Sequence, residues 1–389
     1  MTLDVDRARR DTPGCRTVAH LNNAGAALPP SAVTEAVIAH LQLEASIGGY
    51  EAAVQAQEHA DNTYAAIARM LGCRPGEVAL VENATRAWDM AFYALPFAPG
   101  DRILTSSAEY ASNAIALLQV AQRSGAMVEV IADDEHGQLD VADLARRLDG
   151  SVKLVAITHV PTHGGLVNPA AEVGRLTQAA GVPFLLDACQ SIGQLPIDVA
   201  AIGCDLLSAT GRKFLRGPRG TGFLYVAAGL AEKLQPPFLD LHSATWTAPD
   251  CFTIAPGARR FETWEGNVAG RIGLGVAVDY ALSWGLDAIE HRVVELAQLL
   301  RMRLAEHDGI TVHDHGARLC GIVTFSLDGH RPADVSAGLR QAGVNTSITT
   351  AANSQFDPRA NQDLVRASVH YYNTPEEIDR LCAALPRPK

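Results

Sequence analysis

Long apolar runs are missing from this 389-residue chain, and none approaches the ~18–20 residues that a membrane span requires. The opening residues MTLDVDRARR lack the apolar core of a secretion signal and are too acidic for an organelle-targeting leader. Basic residues are outnumbered, 32 Lys+Arg against 43 Asp+Glu, for a net charge of -11. That balance argues against a nucleic-acid partner. No CxxC pair occurs among the seven cysteines, which are scattered and odd in number. This excludes a disulfide framework and reads as reduced thiols in the cytoplasm. His313, His315 and Cys320 fit no zinc spacing, so no metal is expected. Internal repeats and low-complexity linkers are absent as well. What remains is a soluble cytoplasmic protein, expected to be an enzyme, with no membrane partner.

Apolar residues make up 48% of the chain, enough for a large core and for two or three domains. Between residues 77 and 226, short β-branched runs at 78–81, 102–105, 128–131, 154–158 and 183–186 alternate with amphipathic stretches. Those stretches predict helices over 87–95, 114–124, 141–148 and 170–180. Apolar runs without alternation suit strands covered on both faces, which implies a largely parallel α/β sheet. Ligands of such sheets sit beyond the carboxyl ends of the strands. After Trp284 the pattern changes. Ile289, Val293, Leu296, Leu300 and Leu304 form one helical stripe, expected to bridge two lobes. A strand (321–326), a helix (333–342), extended segments (344–349 and 365–369) and a last helix from Pro375 complete a small α+β domain.

Four signals fall at predicted strand ends. Asn83-Ala84-Thr85 precedes a helix, where free backbone N–H groups and the Thr85 hydroxyl make an anion site or an ordinary N-cap. Asp187-Ala188-Cys189-Gln190 ends the strand PFLLD, where Asp187 either caps the next turn or holds a protonated ring nitrogen, with Gln190 reaching a neighbouring oxygen. Lys213, one of few lysines, lies in Ser208-Ala209-Thr210-Gly211-Arg212-Lys213, followed by a Gly-rich turn. An amine beside cations loses proton affinity, which favours Schiff-base chemistry. The rival phosphate loop, GxxxxGK[ST], is absent, although a structural turn stays open. Arg366 offers a planar fork suited to a carboxylate, or else a solvated edge. A lysine, a carboxylate for a pyridinium nitrogen and an anion cradle together meet the requirements of a pyridoxal 5'-phosphate (PLP) site.

The order Asn-Ala-Thr, then Glu109-Tyr110-Ala111-Ser112-Asn113, then Asp-Ala-x-Gln, then Thr-Gly-Arg-Lys resembles the class V aminotransferase family of PLP enzymes. The resemblance runs from Leu21-Asn22-Asn23-Ala24-Gly25 to Arg366. It implies the α/β fold-type I architecture: a large domain with a mostly parallel seven-stranded sheet, plus a small α+β domain. The motifs divide the chain into a PLP-binding domain, 18–285, and a small domain formed by 1–17 and 286–389. By resemblance Lys213 carries the cofactor and is the catalytic base, and Asp187 meets the ring nitrogen. Gln190 lies near the phenolic oxygen, and Ala84, Thr85, Thr210 and Arg212 surround the phosphate. Arg366 would hold the substrate α-carboxylate, with Asn23, Tyr50, Thr162 and His163 as further substrate contacts. The family also implies a homodimer with the site at the subunit interface.

Desulfurases of this family place a persulfide-forming cysteine on a small-domain loop, yet residues 341–365 contain none. The ring-stacking position falls on Ala111 by ungapped reading and on Tyr110 by chemistry. The stretches GGYEAA (48–53), HVPTHGGLVNPAAEVG (159–174) and TGRKFLRGPRGTGFLYV (210–226) are similar to ergothioneine-pathway and lincosamide-pathway C–S lyases acting on cysteine S-conjugates. The expected reaction is therefore β-elimination from a cysteine S-conjugate or its sulfoxide, giving thiol or sulfenate, pyruvate and ammonia. A leaving-group pocket of Tyr50, His242 and Trp246 goes with it, and Tyr110, Tyr50 or His163 would protonate the sulfur. The rivals are other class V chemistry (transamination, epimerisation, decarboxylating deamination, desulfuration or selenocysteine lysis) and a non-catalytic PLP-binding protein.

Overall fold

Within the strand Val152–Thr158, residues 154–157 are apolar at successive positions because both faces are covered: Leu154 and Ala156 enter one core, Val155 and Ile157 the other. In the computed structural model, which describes residues 3–388, seven strands form one sheet around it. Their spatial order is Val78–Val81, Gly222–Val226, Leu206–Thr210, Phe184–Asp187, Val152–Thr158, Arg102–Thr105 and Met127–Val130. Gly222–Val226 runs antiparallel to both neighbours and the remaining pairings are parallel.

All five predicted strands of this lobe are present, each within two residues of its expected ends. Leu206–Thr210 and Gly222–Val226 escaped the pattern because Ser208, Thr210 and Gly222 interrupt their apolar character. Gly222 is required there: a Cβ would sit 2.7 Å from both the Ala209 carbonyl oxygen and the Asn83 carbonyl carbon. The helix predicted from residue 87 begins earlier, as Ala84–Phe92, because the Asn83 side chain accepts the Arg86 N–H at 2.8 Å. A hairpin, Ala244–Ala248 with Cys251–Ile254, and three helices, Ser31–Ile47, Gly49–Gln55 and Gln57–Leu71, add to the predicted set.

Helices Val268–Trp284 and Leu286–Ala305 meet at 80° across Gly285, whose φ is 81°. No single helix among the described residues is long and apolar enough to cross a membrane. The predicted stripe of Leu286–Ala305 is buried along its length against Val323, Phe325, Val365 and Ala367. A four-stranded antiparallel sheet carries those residues, in the order Ile310–Val312, Ile322–Leu327, Leu364–Ser368, Ser347–Thr349. The extended segment predicted over 344–349 is divided. Val344–Asn345 pairs with Ala19–His20 in a separate parallel ribbon, and Ser347–Thr349 pairs with Leu364–Ser368. The N-terminal segment docks on the same core through Ala8 and Leu21, and Arg9 pairs with Glu377 at 2.9 Å.

Candidate active site

Four strands of the large sheet end in polar residues at one edge: Thr105, Thr158, Asp187 and Thr210. Beyond them lies a cavity of ≈ 370 Å³. Its walls include Ala84, Thr85, Tyr110, Thr162, Asp187, Gln190, Thr210, Arg212 and Lys213, so nine of the residues singled out in the sequence share one site. Ala111 is not among these walls, whereas Tyr110 is.

The turn that carries Lys213 is held tightly. Gly211 has no room for a side chain, since a Cβ would lie 2.3 Å from Thr221 Oγ1. The Arg216 N–H donates to the Lys213 carbonyl at 2.9 Å, and Gly217 N–H donates to Gly211 at 2.7 Å. Lys213 is buried, and burial first, then the Arg212 and Arg366 charges, push its amine below the ordinary lysine value. The Cys189 thiol shares a hydrogen bond with that amine, and burial pushes the thiol up. Asp187 accepts from the Cys189 N–H at 2.8 Å and from Asn113 Nδ2 at 2.9 Å, yet burial still raises its proton affinity. Arg366 donates to Ser347 Oγ at 3.0 Å and to the Thr162 carbonyl at 3.3 Å, with a further bond to the Thr162 hydroxyl. Burial and the neighbouring Arg212 lower its pKa to about 10.

Other candidates sit elsewhere. Asn23 is fully buried where the chain termini meet the lysine loop, its amide donating to the Ser368 carbonyl at 2.7 Å and its oxygen accepting from Tyr372. His163 faces a second cleft of ≈ 330 Å³ and pairs with Asp357 at 3.2 Å. Asp357 belongs to the loop joining Ser347–Thr349 to Leu364–Ser368, which Arg359 also ties to Asp133 at 2.9 Å. Tyr50 is 72% exposed on a surface helix, Trp246 is equally exposed on the hairpin, and His242 pairs with Glu262 at 3.0 Å. The expected pocket of Tyr50, His242 and Trp246 is thus not assembled within one chain, because surface elements carry all three. Sequence reasoning passed over Thr158, Val160 and Cys189 as cavity walls, and treated Asn113 only as part of a stacking motif. The signal was present: Asn113 follows Glu109 by one helical turn, and Thr158 pairs in register with Asp187.

The donor set fits PLP. Gln190 Oε1 is buried without a partner, although Gln190 Nε2 donates to the Ala24 carbonyl at 3.1 Å. The Ala84 and Thr85 amides have no carbonyl behind them in the helix, the Arg86 N–H being taken by Asn83, and both residues line the cavity beside Arg212 as an anion site. Asp187 suits a protonated ring nitrogen, Tyr110 a ring face and Lys213 an aldehyde carbon.

Comparisons with known proteins agree with this geometry. A probable cysteine desulfurase of Methanothermobacter thermautotrophicus is 29% identical over 387 residues, covering 97% of this chain and 96% of the relative. A cysteine desulfurase of Salmonella gallinarum is 31% identical, covering 100% and 98%. The apo structure of a cysteine desulfurase from Thermococcus onnurineus superposes with a TM-score of 0.91 at 25% identity, over 98% of this chain and 97% of that one. The first of these relatives is described as a probable cysteine desulfurase and the second as a cysteine desulfurase, so on the reaction they favour what the sequence reading held as a rival. Residues 19–381 match the aminotransferase class-V family, and the chain belongs to it.

Proposed function

We propose that this protein uses PLP to cleave a C–S bond in a cysteine-derived amino acid. The observation that carries the reading is one cavity holding a buried lysine, a buried carboxylate and an anion-binding helix terminus, with a buried arginine beside it. When bound, PLP supplies an electron sink for the charge that develops at the substrate Cα. Arg366 binds the substrate carboxylate through its planar fork. The buried Lys213 amine, whose proton affinity burial lowers, would take the proton from the substrate Cα. Asp187 would hold the proton of the ring nitrogen. Tyr110, which lines the cavity, would give a proton to the departing sulfur.

Two outcomes share these steps. Desulfuration of cysteine is supported by the relatives. β-Elimination from a cysteine S-conjugate is supported by this chain's own loop, which has no thiol between residues 341 and 365 to accept sulfur. Cys189 is the thiol in the cavity walls, and its raised pKa makes it a poor nucleophile. We favour elimination. Incubation with cysteine and with a panel of S-conjugates decides between them: pyruvate with free thiol marks elimination, and alanine with transferred sulfur marks desulfuration. Formation of neither product would refute C–S cleavage.

Arg366→Ala should raise KM for the amino acid about 10²-fold, with PLP affinity changed less than about threefold. Equal loss of both would contradict the carboxylate role. Exposed Tyr50, Trp246, Phe252 and Trp264 support a homodimer with its site at the interface, and a monomeric sedimentation mass would refute it. All seven cysteines are free, which supports a reducing compartment such as the cytoplasm.

A further inference from the structure

Glu109 is buried just behind the cavity and has no role in the steps above. Its Oε1 accepts the Tyr110 N–H at 2.7 Å and lies 2.5 Å from Thr158 Oγ1, while its Oε2 lies 3.0 Å from Thr105 Oγ1. The Asn113 amide joins it to the site. One nitrogen, Nδ2, donates to Glu109 Oε1 at 2.9 Å and to Asp187 Oδ2 at 2.9 Å, so both of its hydrogens are spent on carboxyl groups. Two buried acids, one in the turn after Arg102–Thr105 and one at the end of Phe184–Asp187, therefore share a single neutral bridge.

We infer that Glu109 is a positioning residue for the cofactor: bridged by the Asn113 amide and itself uncharged, it fixes Asp187 as the single negative charge facing the ring nitrogen. The inference rests on the PLP reading of the cavity. Two ionised carboxylates behind one pyridinium would leave a buried charge uncompensated, which a water-poor site resists. The charge acting on Glu109 is that of Asp187, and with burial as the larger cause it brings Glu109 up to about 7. The groups facing Glu109 from its own turn and helix are Tyr110 and Asn113, and from the neighbouring strands Thr105, Thr158 and Asp187. A cation acts one layer further out: Lys213 lowers the proton affinity of Asp187. An uncharged acid is mimicked by an amide of the same shape, and this gives the test its direction.

PLP binding to the purified full chain is titrated by fluorescence for wild type, Glu109→Gln, Glu109→Ala, Asn113→Ala and the double alanine variant, with circular dichroism as a check on folding. Glu109→Gln should bind PLP within about threefold of wild type, and Glu109→Ala about tenfold or more weakly. The double variant should bind no more weakly than the poorer single one, because both break the same bridge. The infrared difference between wild type and Glu109→Gln at pH 6 should show the carbonyl stretch of a protonated carboxylic acid. The proposal is overturned if Glu109→Ala binds like wild type, if Glu109→Gln is as weak as Glu109→Ala, if the losses add, or if the difference spectrum shows a carboxylate. A wild-type chain that takes up no PLP overturns it by a separate route, since the reading of the cavity fails first.

Discussion

Lys213→Ala should leave a folded protein that turns over at least about 10³-fold more slowly and holds no cofactor covalently. Wild type loaded with PLP should be yellow, lose that absorption on borohydride treatment, and retain the label on Lys213 after proteolysis. The magnitude follows from two duties meeting in one amine. In the proposed reaction it would anchor the cofactor before substrate arrives and take the Cα proton afterwards. Neither duty passes to a neighbour, because the adjacent cations, Arg212 and Arg366, are guanidiniums and offer no second amine. Those same cations, with burial, depress the amine below its ordinary 10.5. A lowered amine is neutral at lower pH than an exposed lysine, so the rising limb of activity should set in at lower pH than an exposed lysine would give. A variant that stays yellow, resists borohydride and turns over at the wild-type rate would remove Lys213 from its assigned place.

That site was legible in the sequence because its main residues interrupt apolar runs. PFLLD stops at Asp187, and the scarcity of lysine singles out Lys213. Both follow from the strand-end geometry of a parallel sheet, where the last residue leaves the core and faces the crevice. Glu109 was harder to read. Its meaning depends on Asn113 one turn later and on Thr158 and Asp187 side by side on adjacent strands, and neither relation has a linear signature. Tyr50, His242 and Trp246 are not brought together within one chain. As aromatic or imidazole side chains in motif-bearing stretches they suggested a pocket, but the fold puts Tyr50 and Trp246 on the surface and gives His242 to Glu262. The absent loop cysteine points one way on reaction outcome and the relatives point the other. Global similarity reports the scaffold, and the leaving-group chemistry depends on a few loop positions that it averages out.

Arg216→Met should destabilise the chain by about 3–5 kcal/mol, read as a fall in the urea midpoint with little change in slope. The guanidinium is 1% exposed, and it donates through Nε to the Leu28 carbonyl at 2.9 Å and through Nη1 to Tyr371 Oη at 2.6 Å, with a further bond to Thr12 Oγ1. It stands over three rings, with centroids at 4.5 Å (Tyr372), 5.1 Å (Tyr371) and 5.6 Å (Tyr280). Methionine fills much of the volume but leaves three oxygens without their donor, the two in buried bonds at roughly 1–3 kcal/mol each before relaxation. It also forfeits a desolvated cation–π cluster worth about 2 kcal/mol. Part of this is offset because the guanidinium need no longer be taken out of water, so the net lies below the sum. The backbone supplies a second check. Arg216 has φ 63°, a left-handed conformation that costs a side-chain-bearing residue about 1–2 kcal/mol. Arg216→Gly should therefore be less damaging than Arg216→Ala by about 1 kcal/mol, although both lose the same bonds. Function should follow stability, since the Arg216 N–H is bonded to the Lys213 carbonyl and the side chain ties that turn to both ends of the chain. Loss of under about 1 kcal/mol in Arg216→Met, or an alanine variant as stable as the glycine one, would show that the cluster does not hold the lysine loop in place.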